Sequence, residues 1–304
     1  MPSDHIIITP HSYDQAAMVQ QMQALMQQQL APDAWQWLQE KAAQLNTQGS
    51  NALAVAFAAM PRKAGKAIVA ISAENAAAFA AIRPHFTVNQ WSIDRLCRVW
   101  LLLQLDTSDE AVYVRRIETL FPAAEMNELV ALYSALPLLA YPEAWRGRCA
   151  EGIRSNIGPV LEAIICNNPY PSEQLPEGAW NQLVLKAFFT EKRIDQIIGL
   201  DDRANESLAN TLIDFARERR AAGREVPPML WRCVSLFINA ENILDVEAAW
   251  YSTETNERAA AALAISQSSL PEAKALLQKN NELAAEIHSG ALSWKGLAAR
   301  MAGE

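Results

Sequence analysis

Apolar residues recur through most of this chain every three or four positions, the spacing of one helix face, and a proline or a Ser, Asp or Asn repeatedly restarts the pattern. Asp14 is placed to cap a Gln-rich helix in which Ala17, Met18, Met22, Leu25, Met26 and Leu30 fall on one side. Pro32 or Asp33 opens a second helix through Trp35, Leu38, Ala42 and Leu45, and an apolar helix follows from Ala52 to Met60. Pro61-Arg62-Lys63-Ala64-Gly65-Lys66 then reads as a tight basic loop, a solvated turn before it is an anion contact. The alternation from Ala67 to Ile71 permits a short strand with no evident partner, so an extended or loop segment is expected. Ser72 begins another helix, Pro84 ends it, and Ser92 caps a strongly apolar one through Leu96, Val99, Trp100, Leu103 and Leu105. The same signals predict helices over 108–120, 122–136, from Pro142 onward, over 176–189, over 205–222 with Gly223 beyond its end, and over 227–239.

The expected fold is therefore all-α, with only 11 glycines to interrupt it. Toward the C-terminus, short amphipathic helices over 244–251, 256–266 and 271–277, the middle one alanine-rich, have the character of a HEAT or armadillo unit. Such units stack into an α-solenoid, which predicts a curved helical superhelix with a concave binding side. We expect one all-helical domain over 1–304, with an N-terminal half over 1–140, a core motif region over 141–240 and HEAT-like helices over 241–304.

Composition narrows the function classes. A net charge of -8 without a Lys/Arg block argues against nucleic acid. Cys97, Cys149, Cys166 and Cys233 are scattered, as core residues in a reducing compartment would be. Met1 to Pro10 carries no secretory pattern, and no apolar run approaches the roughly 18 residues of a transmembrane segment. A cytoplasmic protein is expected. His5, His11, His85 and His288 lie far apart, and no phosphate-binding or nucleophile-elbow motif occurs, so no catalytic residue, metal or cofactor is assigned.

Unusual residues concentrate between Arg148 and Arg232. In the helix from Trp180 to Phe189, Asn181, Gln182 and Lys186 share one arc with Leu185 and Phe189, which leaves no clean solvent face. Polar groups on a buried helix must find partners, since an unpaired one costs roughly 1–3 kcal/mol. Asn168, Tyr170, Asp201 and Asp202 are near in sequence. These groups either brace adjacent helices or line a ligand cavity. In the cavity reading Arg154 and Arg203 meet an anionic or carbonyl group, and Asn156, Asn168 and Asn181 supply hydrogen bonds. Tyr170 and Trp180 offer flat apolar surface, Lys186 is a charge partner for Asp202 or the ligand, and Asn205 lines the site or caps the helix that follows it.

One enzymatic alternative has a motif behind it. Asp201-Asp202-Arg203-Ala204-Asn205 has the DDxxN form of the magnesium motif of all-helical terpene synthases. The second metal motif of that family is matched in spacing by Asn210, Asp214 and Glu218, but a middle Asp stands where a hydroxyl residue is expected.

Over nearly its whole length the chain resembles the EboA family. The resemblance rests on an ordered series: Pro61-Arg62 to Gly65-Lys66, Arg154-Ser155-Asn156, Asn168-Pro169-Tyr170-Pro171, Trp180-Asn181-Gln182 with Leu185-Lys186-Ala187, Arg203-Ala204-Asn205, Glu218-Arg219 to Ala222-Gly223-Arg224, and Trp231-Arg232. It departs from the family pattern at Ser155, where Thr is usual, and at Arg217, where His is usual, so a mechanism that needs an imidazole there is not supported. The resemblance implies a helical protein encoded with genes for secondary-metabolite export or precursor traffic, among them a membrane prenyltransferase-like protein. Its implied partners are a small secondary metabolite and the other proteins of that gene cluster. The leading expectation is a non-enzymatic binding or scaffold protein, with pure protein scaffolding and the terpene synthase-like enzyme as alternatives.

Overall fold

The computed structural model describes residues 12–47 and 51–303. Among them are 18 α-helices and no sheet. The expectations for Met1 to Pro10, including His5, and for His11 fall outside the described residues. The chain forms two compact units, Met1–Trp180 and Asn181–Glu304.

The first unit holds α1 (Gln15–Gln27), α2 (Pro32–Gln44), α3 (Asn51–Ala64), α4 (Ala73–Ile82), α5 (Ile93–Leu102), α6 (Glu110–Glu118), α7 (Met126–Ala135), α8 (Arg146–Ile153), α9 (Gly158–Ile165) and α10 (Tyr170–Gln174). Its centre is α5, which packs against α1, α2, α3 and α7, while α7 also packs against α9. Every residue of α5 except Arg95 is buried, Asp94 and Arg98 included. A helix buried all round has no exposed side for polar groups, so these two pair one helical turn apart, Arg98 Nη1 donating to Asp94 Oδ2 at 2.6 Å. Arg98 Nε donates at 3.1 Å to the Phe57 carbonyl. That carbonyl would ordinarily accept from the residue four positions on, but the residue there is Pro61, which has no N–H. Proline inside α3 thus frees an acceptor that a buried arginine occupies.

Two sequence expectations change here. The basic stretch 61–66 is not all loop, because α3 runs on to Ala64 and ends at Gly65, whose φ of 83° a side chain would disfavour. Arg62 and Lys63 therefore sit in the last helical turn, where cations oppose the negative end of the helix dipole. The segment 67–71 does find a partner. Val69 N donates to Trp91 O and Ile93 N to Ala67 O, each at 2.8 Å, around one antiparallel bridge between Ile68 and Ser92.

α11 (Glu177–Phe189) spans the boundary between the units. Against the expectation of no clean solvent face it has one, with Glu177, Gly178, Gln182 and Phe189 exposed and Trp180, Leu183, Val184, Ala187 and Phe188 buried. The exposed Phe189 ring stacks edge-on against Phe215 at 4.9 Å between centroids, which is how an apolar residue persists on that side.

The second unit continues with α12 (Glu206–Ala221), α13 (Leu230–Val234), α14 (Ile243–Trp250), α15 (Thr255–Gln267), α16 (Pro271–Leu277), α17 (Asn281–Ser289) and α18 (Trp294–Ala302). α13 is shorter than the helix expected over 227–239, giving way to a 3-10 turn at Ser235–Phe237. The hub is α15, which packs against α13, α14, α16, α17 and α18. Ala259 to Ile265 are all buried there, and the alanine run lets helices approach from several sides. Its one buried acid, Glu257, accepts from Arg220 at 3.0 Å.

Candidate functional site

Two cavities stand out, one in each unit. The first unit's cavity, about 340 Å³, is walled by Ser12 and Tyr13, by Arg83, by Leu136, Pro137, Leu139 and Pro142, and by Tyr170, Glu173 and Gln174. Its geometry follows from an irregular buried stretch. Between α7 and α8 the chain runs as two short 3-10 turns, Leu136–Leu138 and Pro142–Trp145, and such backbone leaves carbonyls without helical partners. Side chains from distant elements satisfy them. Arg83 Nε donates to Pro137 O at 3.2 Å, the Tyr13 hydroxyl to Leu138 O, Trp145 Nε1 to Ala140 O at 2.8 Å, and the Tyr170 hydroxyl to Pro142 O at 2.6 Å.

Arg83 does more than cap a carbonyl. Its Nη1 and Nη2 donate to the two carboxylate oxygens of Glu173 at 2.9 and 2.6 Å, a bidentate pair whose side chains are 3% and 4% exposed. Glu173 belongs to α10, five residues long and too short to persist alone. Asn168 opens α10 by accepting from Tyr170 N at 3.0 Å, while its Nδ2 donates to the carbonyls of Tyr133 and Ala163 at 3.2 and 2.8 Å. The Asn168-Pro169-Tyr170-Pro171 motif is thus a device for holding α10 as one wall. Next to Glu173, the buried Gln174 accepts from Arg146 at 3.2 Å through Oε1, while its Nε2 has no hydrogen-bond partner among the described residues. Burial pushes the Tyr13 and Tyr170 hydroxyls well above the usual phenol range, so both keep their protons at neutral pH.

The second unit's cavity, about 450 Å³, is lined by Trp250, Tyr251, Ser252, Thr253, Arg258, Lys279, Asn280 and Leu283. Arg258 Nη1 donates there to the carbonyls of Ser252 and Thr253 at 2.7 and 2.8 Å, and Tyr251, Thr253 and Lys279 are exposed.

Of the ten residues singled out in the sequence, five lie in each unit. In the first, Asn168 and Tyr170 come together at α10 as described, Trp180 is fully buried, and Arg154 and Asn156 are exposed. In the second, Asn181 and Asn205 form a reciprocal amide pair, Asn181 Nδ2 donating to Asn205 Oδ1 at 3.2 Å and Asn205 Nδ2 to Asn181 Oδ1 at 2.9 Å. Asn205 also caps α12, accepting from Leu208 N at 2.9 Å, and donates to Arg203 O at 3.2 Å. Arg203 and Lys186 are half-buried, and Asp202 is exposed. Both carboxylate oxygens of Asp201 accept from Arg232, at 2.7 and 2.6 Å, so the first acid of the DDxxN motif is engaged by a guanidinium. Among the described residues no group of three His, Cys, Asp or Glu is placed to hold a metal ion.

Tyr13, Arg83, Glu173 and Gln174 were not among the candidates. Glu173 and Gln174 directly follow a motif that was, but Arg83 lies 90 residues from its partner and nothing in the sequence joins them.

A family model described as metabolite traffic protein EboA matches residues 18–235. The chain belongs to the EboA family. Among the described lining residues, the match takes in all of the first unit's cavity except Ser12 and Tyr13, and stops before all of the second unit's cavity. The EboA-like segments Asn168 to Pro171 and Arg203 to Asn205 are thus ones for which the structure supplies a local architectural role. Searches of curated proteins and of solved structures found no match. No helix among the described residues is long and apolar enough to cross a membrane.

Proposed function

We propose that this EboA family protein is a non-catalytic binding protein of metabolite traffic that takes a small molecule into the cavity of its first unit. One observation carries this reading: the walls of a 340 Å³ cavity are fixed by a fully buried Arg83–Glu173 pair and by side-chain hydrogen bonds to an irregular backbone. A mostly apolar, preformed hollow with a few convergent polar groups is the usual form of a small-molecule site. In this proposal Tyr170 is a wall of the site and Asn168 positions it, while Asn181 and Asn205 brace the second unit. Arg154 and Asp202, being exposed, are available to partner proteins, and Asn156, Trp180, Lys186 and Arg203 support the chain around them.

The test is native mass spectrometry of the full chain purified from cells that make the metabolite pathway. A compound bound one to one is expected with the wild-type protein and lost with Leu139→Trp, which fills the cavity, and with Ser12→Trp at its exposed rim. Absence of any bound compound, or a bound compound indifferent to both substitutions in folded protein, contradicts the proposal.

A further inference from the structure

In a chain of net charge -8, the cavity of the second unit is a local exception. Arg258 and Lys279 both line it, and none of its described lining residues is acidic. Arg258 comes from α15 and Lys279 from the turn between α16 and α17, so the fold brings the two cations to one hollow. Neither is opposed by a carboxylate among the described residues. Glu257, next to Arg258 in sequence, is taken by Arg220 at 3.0 Å. Arg258 spends its bonds on oxygens that carry no formal charge, the carbonyls of Ser252 and Thr253 and, at 3.3 Å, the Thr255 hydroxyl. Lys279 Nζ donates to the Tyr251 hydroxyl at 3.4 Å. Asn280, the N-cap of α17, lines the cavity as well, so the positive end of that helix adds to the field, and Glu282 in its first turn is not among the lining residues.

The rest of the wall has a different character. Trp250 is 6% exposed, Tyr251 is 60% exposed, and Leu283 is half-buried. Two aromatic rings and a leucine beside two cations suit a charged group carried on an apolar body better than a bare ion. Arginine favours oxyanions among charged groups, because its fork matches carboxylate and phosphate oxygens. A volume of about 450 Å³ is in the range of small-molecule sites.

We infer that the second unit's cavity binds a small organic oxyanion, a carboxylate or phosphate on a flat apolar body. Arg258 and Lys279 meet the charge, and Trp250, Tyr251 and Leu283 meet the body. This is a second site, independent of the one proposed in the first unit and outside the residues the family model matches. Exposed Lys279 and Tyr251 leave it open to water, so its ligand exchanges freely and is lost on purification.

Four probes separate charge from body: 2-naphthoate, 2-naphthyl phosphate, the neutral 2-naphthamide and inorganic phosphate, titrated against the full chain by calorimetry. At low ionic strength both naphthyl anions are expected to bind at least about fivefold more tightly than naphthamide and than inorganic phosphate, with the margin over the amide narrowing as salt is added. The tighter of the two names the oxyanion. Lys279→Met should narrow that margin about threefold, Lys279→Arg should keep it, and Lys279→Glu should abolish it. Arg258→Met, checked for folding by circular dichroism, should act as Lys279→Met does. Two controls should leave every affinity as it was: Leu139→Trp, which fills the first unit's cavity, and Glu304→Gln, at the one residue of the second unit outside the described ones. The proposal is overturned if neither naphthyl anion binds, if naphthamide or inorganic phosphate binds as tightly, or if the advantage of the anions survives Lys279→Glu. Loss of binding in Leu139→Trp would place the probes in the other cavity, and tighter binding in Glu304→Gln would make this chain's own acid the occupant; either result overturns it too.

Discussion

The two units of this protein solve the same packing problem with opposite materials. The first places polar and charged groups inside: two ion pairs almost wholly withdrawn from water, Arg83–Glu173 and Arg98–Asp94, each also serving a backbone carbonyl that proline or irregular chain leaves open. The second relies on a helix of small side chains, α15, and keeps its ion pairs nearer the surface, as with Arg232–Asp201 at 20% and 60% exposure. Alanine packing brings helices close, and the second unit's cavity has exposed Tyr251, Thr253 and Lys279 in its wall. A polar interior built on irregular backbone holds chain segments apart and fixes the gap between them. It is the first unit whose cavity has buried, partnered walls.

The largest effect that would sharpen this comparison comes from the first unit's pairs. Arg98→Leu strands Asp94 and reopens the Phe57 carbonyl, and is expected to cost about 3–5 kcal/mol, read as a fall in the chemical denaturation midpoint. Arg232→Gln in the second unit should cost less than about 1 kcal/mol, and comparable losses for the two would erase the distinction.

Alkaline titration should separate the units next. Burial raises the pKa of Tyr113 and Tyr133 to about 12, that of Cys97 to about 12, and those of Tyr13, Tyr170 and Cys149 further. In the second unit the described residues show such a rise only at Cys233, to about 12. A group whose folded pKa exceeds its unfolded one holds its proton more tightly when folded. Its stabilisation is complete below the unfolded value, about 9 for a thiol and 10 for a phenol, and is lost as pH climbs through the folded value. Amide exchange should therefore show the first unit opening before the second between about pH 9 and 12. Simultaneous opening counts against the contrast.

A smaller effect probes the alanine hub. Ala261→Leu in α15 should cost about 1–3 kcal/mol by overpacking, and a neutral result would mean that the second unit has room to spare. Smaller again, Asn205→Ala removes the α12 cap and half of the amide pair for about 1 kcal/mol. A cycle with Asn181→Ala should show coupling of at least about 0.5 kcal/mol.

Local chemistry was legible in the sequence. Asp14 and Ser72 cap α1 and α4 through their side chains, Asn205 caps α12, and the buried face of α1 is Met18, Met22, Leu25 and Met26 as its spacing predicts. Terminal detail was less so. The helix expected from Ser108 is capped by Asp109 instead, because the Ser108 hydroxyl is taken by Asp106. What stayed hidden depends on contacts across long stretches of chain. Pro61 reads as the start of a loop until Arg98 is seen to fill the bond it breaks, and Arg83, beside the Pro84 that ends a helix, carries no signal until Glu173 arrives from 90 residues away. Tyr170 and Asn168 mark the candidate site in the sequence, and the charged pair beside them carries no signal in spacing.

Hydrogen–deuterium exchange on the full chain, purified with its bound compound from cells that make the metabolite pathway and again after that compound has been removed, tests the central claim most directly. The account predicts added protection over 136–142 and 170–175, where the cavity walls are held by side-chain bonds, and none over 250–258 in the second unit. Protection confined to 250–258, or equal protection in both places, would contradict it.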